Sequence, residues 1–562
     1  MTALLTDNLP LLAGAPNGIK KLRELILELA VRGKLVPQNP NDEPASELLK
    51  RIAAEKKGLS PKVKKSSDTP MGAVAFELPE SWCWASFGDI AQHNSGKTLD
   101  KGKNSGVPRN YITTSNLYWG RFDLASVRQM LFEEKDLARC TAIKNDLLIC
   151  EGGEAGRAAV WDQESEICFQ NHVHRARFFG EINPYYAQRY FERLNYSGEI
   201  AEYRKGVGIS NMSSKALASI PMPVPPLAEQ HRIVAKVDEL MALCDRLEAQ
   251  QADAESAHTQ LVQALLGGLT QAADAQDFAA SWQRLAEHFH TLFTTESSID
   301  ALKQTLLQLA VMGKLVPQDP SDDTVNELLK RVELGKQAAF VGRNNVDKLR
   351  SSDANDEKPF TIPSQWTWAR LGELAISGPS NGYSPKPASV ETPYRCLTLS
   401  ATTRGVFNNQ CFKFVDIDND TASKYFLKKG DFLIQRANSI DYVGVSAIYD
   451  GADDQFIFPD LIMRIKISDC LDKSFIHYYL SSIAGRAYFR KHATGTQGNM
   501  PKINQGTVVN APVPIPPLAE QRRIVAKVDQ LMALCDQLKN RLTKARQLNE
   551  QLTTSLVEQA VA

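Results

Sequence analysis

A few short stretches carry residue types that could do chemistry. NSGKT (94–98) ends like a phosphate-binding loop. The complete loop needs a glycine five residues before Gly96, and Ala91 stands there. NPYY (183–186) lacks the second proline of the Asn-Pro-Pro-Tyr loop of amino-methyltransferases, and no Gly-rich strand–turn–helix precedes it. It reads as a helix start followed by aromatic core residues. EGGEAGR (151–157) has the wrong glycine spacing for a dinucleotide fingerprint and predicts a tight loop, with Arg157 at its end able to reach a ligand. His172 and His174 alternate on a predicted strand and so share a face. Without a third ligand at suitable spacing they make no metal site, and a polar or plainly exposed strand accounts for them. No Ser–His–Asp or Cys–His constellation is visible, so the chain reads as non-catalytic. GKTLDKGKN (96–104), YRKGVGISNMSSK (203–215) and FRKHATGTQGNMPK (489–502) mix Lys or Arg with Gly, Ser and Asn. Cations suit phosphates, and Asn, Gln or Arg suit base edges. Ordinary solvated loops have the same composition, so both readings stand at this point.

The bulk numbers neither demand nor exclude a nucleic-acid partner. The 562 residues hold 65 basic and 65 acidic side chains, with 43% hydrophobic and 23% charged residues. That is the profile of a globular protein of a few domains. Residues 76–220 carry 17 basic and 18 acidic side chains, and residues 360–511 carry 16 and 13, so neither stretch is strongly basic. The nine cysteines are scattered, with no C-x-x-C pair, which suits a reducing compartment. No apolar run approaches a membrane span, and MTALLTDNLPLLAGAP lacks the basic start of a signal peptide. A cytoplasmic protein is expected.

The elements that must position these loops are announced by repetition. Residues 221–248 and 512–539 are identical at 22 of 28 positions, and residues 19–52 and 299–332 at 19 of 34. FELPESWCWASFGDI (76–90) is echoed by FTIPSQWTWARLGEL (360–374). The chain is therefore two tandem halves, about 1–290 and 291–562. Between the copied pieces, residues 91–220 and 375–511 diverge. Copied surfaces meet the same partner twice or meet each other; divergent surfaces meet different things.

Each copied sentence opens with prolines that favour an extended segment. Glu229 or Glu520 then suits the first turn of a helix. Apolar residues recur in steps of four and three at Ile233, Val237, Leu240, Cys244 and Leu247, and at Ile524, Val528, Leu531, Cys535 and Leu538. This is a coiled-coil seam, continuing through Leu542, Ala545, Leu552 and Leu556, with polar Asn549 interrupting it. Leu22, Leu25, Ile26 and Leu29 make a second helical face, as do Leu302, Leu306 and Leu309, and Gly33 and Gly313 stop those helices. In the divergent pieces, short β-type runs (110–120, 147–153, 158–162, 174–179, 394–403, 431–437, 444–450 and 461–467) predict mixed α/β globules, with helices at 184–195 and 474–491. The Trp82/Trp84 and Trp366/Trp368 pairs read as core rather than as base-stacking platforms. The expected fold is α+β: two mixed α/β domains separated by an antiparallel coiled coil of long helices, as a pseudo-two-fold tandem repeat.

LAVRGKLVPQNPNDEPASELLKRI, its partner at 310–332, and the two P-x-PPLAEQ-x-RIVAKVD-x-LMALCD segments resemble the specificity subunit of type I restriction–modification enzymes, over the whole chain. The resemblance implies conserved N-terminal helices at 1–57, a first target recognition domain at 58–220, a central helical region at 221–335, a second recognition domain at 336–511 and a C-terminal helix at 512–562. Each recognition domain would read one half of a bipartite DNA site. The helices would set the gap and dock two modification subunits, which bind S-adenosylmethionine and methylate adenine. A restriction subunit would supply ATP- and Mg2+-dependent translocation and cleavage. No cofactor is expected on this chain. By the same resemblance, DNA-reading candidates in the first domain are Arg204, Lys205, Ser210, Asn211 and Lys215, with Lys97, Lys101, Lys103 and Arg157. In the second they are His492, Gln497, Asn499 and Lys502, with Tyr383, Lys386, Arg404, Arg436 and Asn438. Two rivals stand against this reading. A self-contained methyltransferase–nuclease would need a Gly-rich cofactor loop and an acidic cluster, which are not seen. A protein–protein scaffold without a DNA role would show no sequence-dependent DNA binding.

Overall fold

The computed structural model describes residues 12–58, 72, 74, 76–98, 100, 102, 104–206, 210–272, 275–340, 358–495 and 500–561. They form two compact units, Met1–Ala254 with Ala545–Ala562, and Glu255–Lys544. In chain order the first half holds α1 (Gly18–Val31), α2 (Ala45–Gly58), β1 (Cys83–Ser86), β2 (Ala91–Ser95), β3 (Leu147–Cys150), β4 (Ala158–Val160), β5 (Val173–Phe178), α3 (Pro184–Ser197), β6 (Pro221–Val224) and α4 (Leu227–Thr270). The second half holds α5 (Ala275–Glu287), α6 (Glu296–Val311), α7 (Val325–Phe340), β7 (Thr367–Arg370), β8 (Ala375–Asn381), β9 (Phe432–Gln435), β10 (Ser446–Ile448), β11 (Ile462–Ile467), α8 (Lys473–Ser481), β12 (Pro512–Ile515) and α9 (Leu518–Val561). Helices α4 and α9 have 44 residues each, roughly 66 Å at 1.5 Å per residue. Helix α4 starts in the first unit and ends in the second, and α9 starts in the second and ends in the first.

Each globule is built on one four-stranded antiparallel sheet with the same strand order. In the first it runs β4–β3–β5–β2, and in the second β10–β9–β11–β8. Strands β3 and β9 are buried along their whole length, as near-continuous apolar runs require. The second sheets differ. The first globule adds four strands, Arg128–Phe132, Val107–Ile112, Ile167–Phe169 and Thr141–Ala142; the second adds three, Lys386–Pro387, Phe412–Asp416 and Arg395–Leu397.

The copied pieces meet each other. Strand β1 pairs with the proline strand β6, setting Trp84 opposite Pro223, and β7 pairs with β12, setting Trp368 opposite Pro514. Two-stranded ladders tolerate prolines because their outer edges need no donor. Helix α1 buries Leu22, Leu25, Ile26 and Leu29, and α6 buries Leu302, Leu306 and Leu309. Both helices stop at a glycine of positive φ, Gly33 at 69° and Gly313 at 72°. A Cβ there would lie 2.5 Å from the ring of Pro79 or Pro363, so conformation and space both demand glycine.

Seam residues Ile233, Val237 and Cys244 are buried in the first unit's core with the α1 face, and Leu240 and Leu247 pack against it. Ile524, Val528, Leu531 and Cys535 are buried in the second unit's core with the α6 face, beside Leu538 and Leu542. The far ends exchange roles. Leu556, Val557 and Ala560 of α9 complete the first core, and Val262, Leu266 and Leu269 of α4 complete the second.

Three expectations need correction. The seam beyond Leu542 does not run through Leu552, which is 56% exposed; Thr553 is buried instead, its hydroxyl satisfied by the Asn549 carbonyl at 2.8 Å. The 474–491 helix is two helices, because Ser482 is extended (φ −69°, ψ 165°) and its hydroxyl caps the second helix at Gly485 N–H. His172 and His174 do not share a face: β5 begins at Val173, His172 is exposed, and His174 is 1% exposed.

Candidate nucleic-acid interface

Two hairpins occupy equivalent places on the shared sheets. In the first globule, Lys205 and Asn211 exchange both backbone hydrogen bonds at 2.9 Å. The Asn211 side pairs with Gly152 just beyond β3, Ser210 pairs with Gly153, and the Ser210 hydroxyl donates to the Gly153 carbonyl. In the second, Thr494 and Lys502 exchange bonds at 2.8 and 2.9 Å, and Lys502 bridges Ala437 just beyond β9. The next residue anchors both hairpins: Met212 N–H donates to Glu151 O at 2.8 Å, and Ile503 N–H to Arg436 O at 2.9 Å. Ser213 and Asn504 then cap short helices.

Around the first hairpin the loop 151–157 and the segment 170–172 converge, through Glu151 N–H to His172 O at 2.8 Å and Asn171 N–H to Lys97 O at 2.9 Å. Arg204 donates to Ala155 O at 2.7 Å and Asn195 Oδ1 at 3.2 Å, and burial holds its pKa below the usual arginine value. Arg157 donates to Thr114 O at 2.7 Å and to Glu154 at 3.0 Å. Lys97 turns inward, paired with Asp136 over the Phe132 ring; this engaged lysine is not a phosphate-loop lysine. Lys205, Asn211 and Lys215 are exposed. Lys101 and Lys103 lie outside the described residues.

The second site is assembled by side-chain ties. Buried Gln435 donates to Leu399 O, Thr402 Oγ1 and Thr403 Oγ1, each at 3.0 Å, and so holds the turn that carries exposed Arg404. Asn438 donates to Gln435 Oε1 at 2.7 Å. Arg436 donates to Asp460 O at 3.3 Å, and Asp460 N–H donates to Ser384 Oγ at 3.2 Å, next to Tyr383. Tyr383 is 44% exposed and stacks on Tyr425 with centroids 5.7 Å apart. His492 is tied to the Tyr488 carbonyl at 2.9 Å. Lys386 stands apart, on the smaller sheet opposite Asp416. Gln497 and Asn499 lie outside the described residues.

Sequence reasoning missed Gln435, whose signal is a polar residue closing a buried strand. It named His174 only as part of a polar or plainly exposed strand, whereas the ring is buried, faces the Met212 carbonyl at 3.0 Å and braces the first hairpin from inside. Burial lowers the His174 pKa, and His93 falls to about 4 by burial with His174 nearby. Among the described residues no three His, Cys, Asp or Glu side chains are grouped to hold a metal, and no helix is long and apolar enough to cross a membrane.

The two globules thus carry unlike hairpins on sheets of the same strand order. Residues 79–255 and 363–547 match the family described as "Type I restriction modification DNA specificity domain". The chain belongs to that family and carries its domain twice. It is 37% identical to the type I restriction enzyme EcoEI specificity subunit of Escherichia coli over 572 residues, covering 97% of this chain and 94% of that protein. It is 36% identical to the EcoAI specificity subunit of Escherichia coli, with the same coverage of 97% and 94%. The crystal structure of the HsdS subunit from Thermoanaerobacter tengcongensis is similar at TM-score 0.41 and 17% identity, covering 86% of this chain and 98% of that one.

Proposed function

We propose that each globule reads one half of a bipartite, asymmetric DNA site through its hairpin and the loops beside it, while the long helices set the gap between the halves. The observation that carries this is the pair of equivalent hairpins with unlike lengths and side chains on sheets of one topology. Unlike hairpins suit unlike half-sites; like helices suit two identical partners. The candidates combine exposed cations for phosphates with Asn, Arg and Tyr for base edges in the major groove. The partners are two modification subunits that bind S-adenosylmethionine and methylate adenine, and a restriction subunit that uses ATP and Mg2+. They supply the catalysis and most of the phosphate neutralisation, which this chain of zero net charge leaves to others. The target adenine must leave the stack to react, so the bound DNA is distorted. The test is to map methylated adenines in the host genome with and without the gene. Two unlike half-sites at fixed spacing are expected to lose methylation together. An unchanged methylation map would sink the reading and favour a scaffold without a DNA role.

A further inference from the structure

The copied sentence contains polar residues that a coiled-coil seam does not need, and they are buried. Glu229 and Gln230 are 1% and 0% exposed, and Glu520 and Gln521 are both 0% exposed. Their bonds are the same in both units. Trp82 Nε1–H donates to Glu229 at 3.0 Å, and Trp366 Nε1–H to Glu520 at 3.0 Å. Gln38 and Gln318 donate to the other oxygen of each carboxylate. Gln230 Oε1 accepts from Asn183 N–H at 2.9 Å, and Gln521 Oε1 from Asp472 N–H at 2.9 Å. Each amide also donates back to its own proline segment, at Pro225 O (3.0 Å) and Pro516 O (2.9 Å). Asn183 and Asp472 are the N-caps of α3 and α8, the helices on which the globules rest. A third tie follows two helical turns on: Arg189 of α3 pairs with Asp238 at 2.8 Å, and the Tyr478 hydroxyl of α8 bonds Asp529.

We propose that Gln230 and Gln521, with Asp238 and Asp529, are positioning residues: each pair locks its globule's helix to the root of a long helix and so fixes the direction in which that globule presents its hairpin to DNA. This rests on the half-site reading above. An extended strand and a helix meeting at prolines could pivot, and one side chain bonded to both sides removes that freedom. The glutamine acts through the helix cap and touches no base. Its loss therefore changes which spacings are accepted, not which bases.

The experiment uses the chain assembled with its modification subunits, on DNA targets whose half-sites are intact and whose spacer varies by one base pair either way. Gln521→Met keeps the side chain's length and apolar packing but loses both bonds. The penalty for a wrong spacer is expected to shrink about tenfold, the scale of one buried hydrogen bond, with discrimination inside each half-site unchanged. Tyr478→Phe removes only the outer tie and should broaden spacer tolerance less, in the same direction; it decides the matter if Gln521→Met fails to assemble. A spacer profile identical to the wild type overturns the proposal, as does a variant that loses base discrimination while keeping its spacer preference. If the wild-type complex itself binds without regard to half-site sequence, it is the half-site reading that fails.

Discussion

The hairpin between Lys205 and Asn211 encloses five residues (206–210), and the one between Thr494 and Lys502 encloses seven (495–501). The joints, Trp–Glu–Gln in both units, use the same atoms at the same hydrogen-bond lengths, 3.0 Å from Trp to Glu and 2.9 Å into the Gln oxygen. Both regions are polar, and the difference lies in where their hydrogen bonds go. At the joints the Glu and Gln side chains at the roots of the long helices are bonded inside the chain, so a change there leaves a buried group unpaired. At the hairpins the backbone is paired and side chains such as Lys205, Asn211 and Lys502 face outward, so the chain can vary them without unfolding.

The most severe way to break this comparison is to replace Lys205, Ser210, Asn211 and Lys215 together by alanine. The complex should keep its fold and lose discrimination at the first half-site by about 10³-fold, since each misread base pair costs ~1–3 kcal/mol. The second half-site should still be read. Methylation of target series mutated in one half-site at a time measures both effects.

Next in size is a test of whether the joints are equivalent. Gly313→Ala forces a positive φ of 72° on alanine and puts a Cβ against Pro363. The expected loss is about 2–4 kcal/mol, summing the left-handed penalty and the overpacking. Gly33→Ala meets the same geometry against Pro79 and should cost the same within ~1 kcal/mol. Thermal unfolding of the two variants reads the difference. A benign Gly33→Ala would show the first joint to be looser than its copy.

How much of this arrangement was legible depended on whether a residue's role follows from its own period. The long helices, the α1 and α6 faces and the glycine stops follow from local spacing, and they stand where that spacing puts them. Most of the short β-type runs coincide with strands. Glu520 was legible only as a first-turn acid, because its partners Trp366 and Gln318 are 154 and 202 residues away. The seam slips from Leu552 to Thr553: the apolar count favours leucine, whereas the fold buries the threonine. For the loops, composition pointed to segments that do pair as hairpins beside the shared sheets, but Lys97 turned inward to Asp136, and no spacing rule foretells that.

A smaller effect separates the joints by pH. Burial raises the Glu520 carboxyl from its ordinary 4.5 to about 7, against the opposing bonds from Trp366 and Gln318 and the charge of Arg523; Asp322 adds to the rise. The folded state therefore holds its proton more tightly than the unfolded chain. Stability of the second unit should fall as pH rises from about 4.5 to about 7 and level off above. Glu520→Gln should flatten that part of the profile. Glu229 is raised in the same direction, so Glu229→Gln is the matching control for the first unit. A profile that rises across the window in wild type and loses that rise in Glu520→Gln would show the carboxylate to be stabilised by its donors rather than strained by burial.

The smallest expected effect tests whether the outward cations do the same work in both heads. Lys205 sits on the first strand of its hairpin, whereas Lys502 sits on the second strand of its own, at the place of Asn211. If both lysines meet phosphate, Lys205→Ala and Lys502→Ala should each weaken binding equally for cognate and mutated targets and lower the slope of log affinity against log salt by about one. Salt titrations of the assembled complex on matched DNA provide the measurement. Should Lys502→Ala instead relax the choice of one base pair in the second half-site and leave the salt slope alone, Lys502 reads a base edge, the role proposed for its counterpart Asn211. The two heads would then share a reading position as well as a joint, and differ only in which side chain fills it.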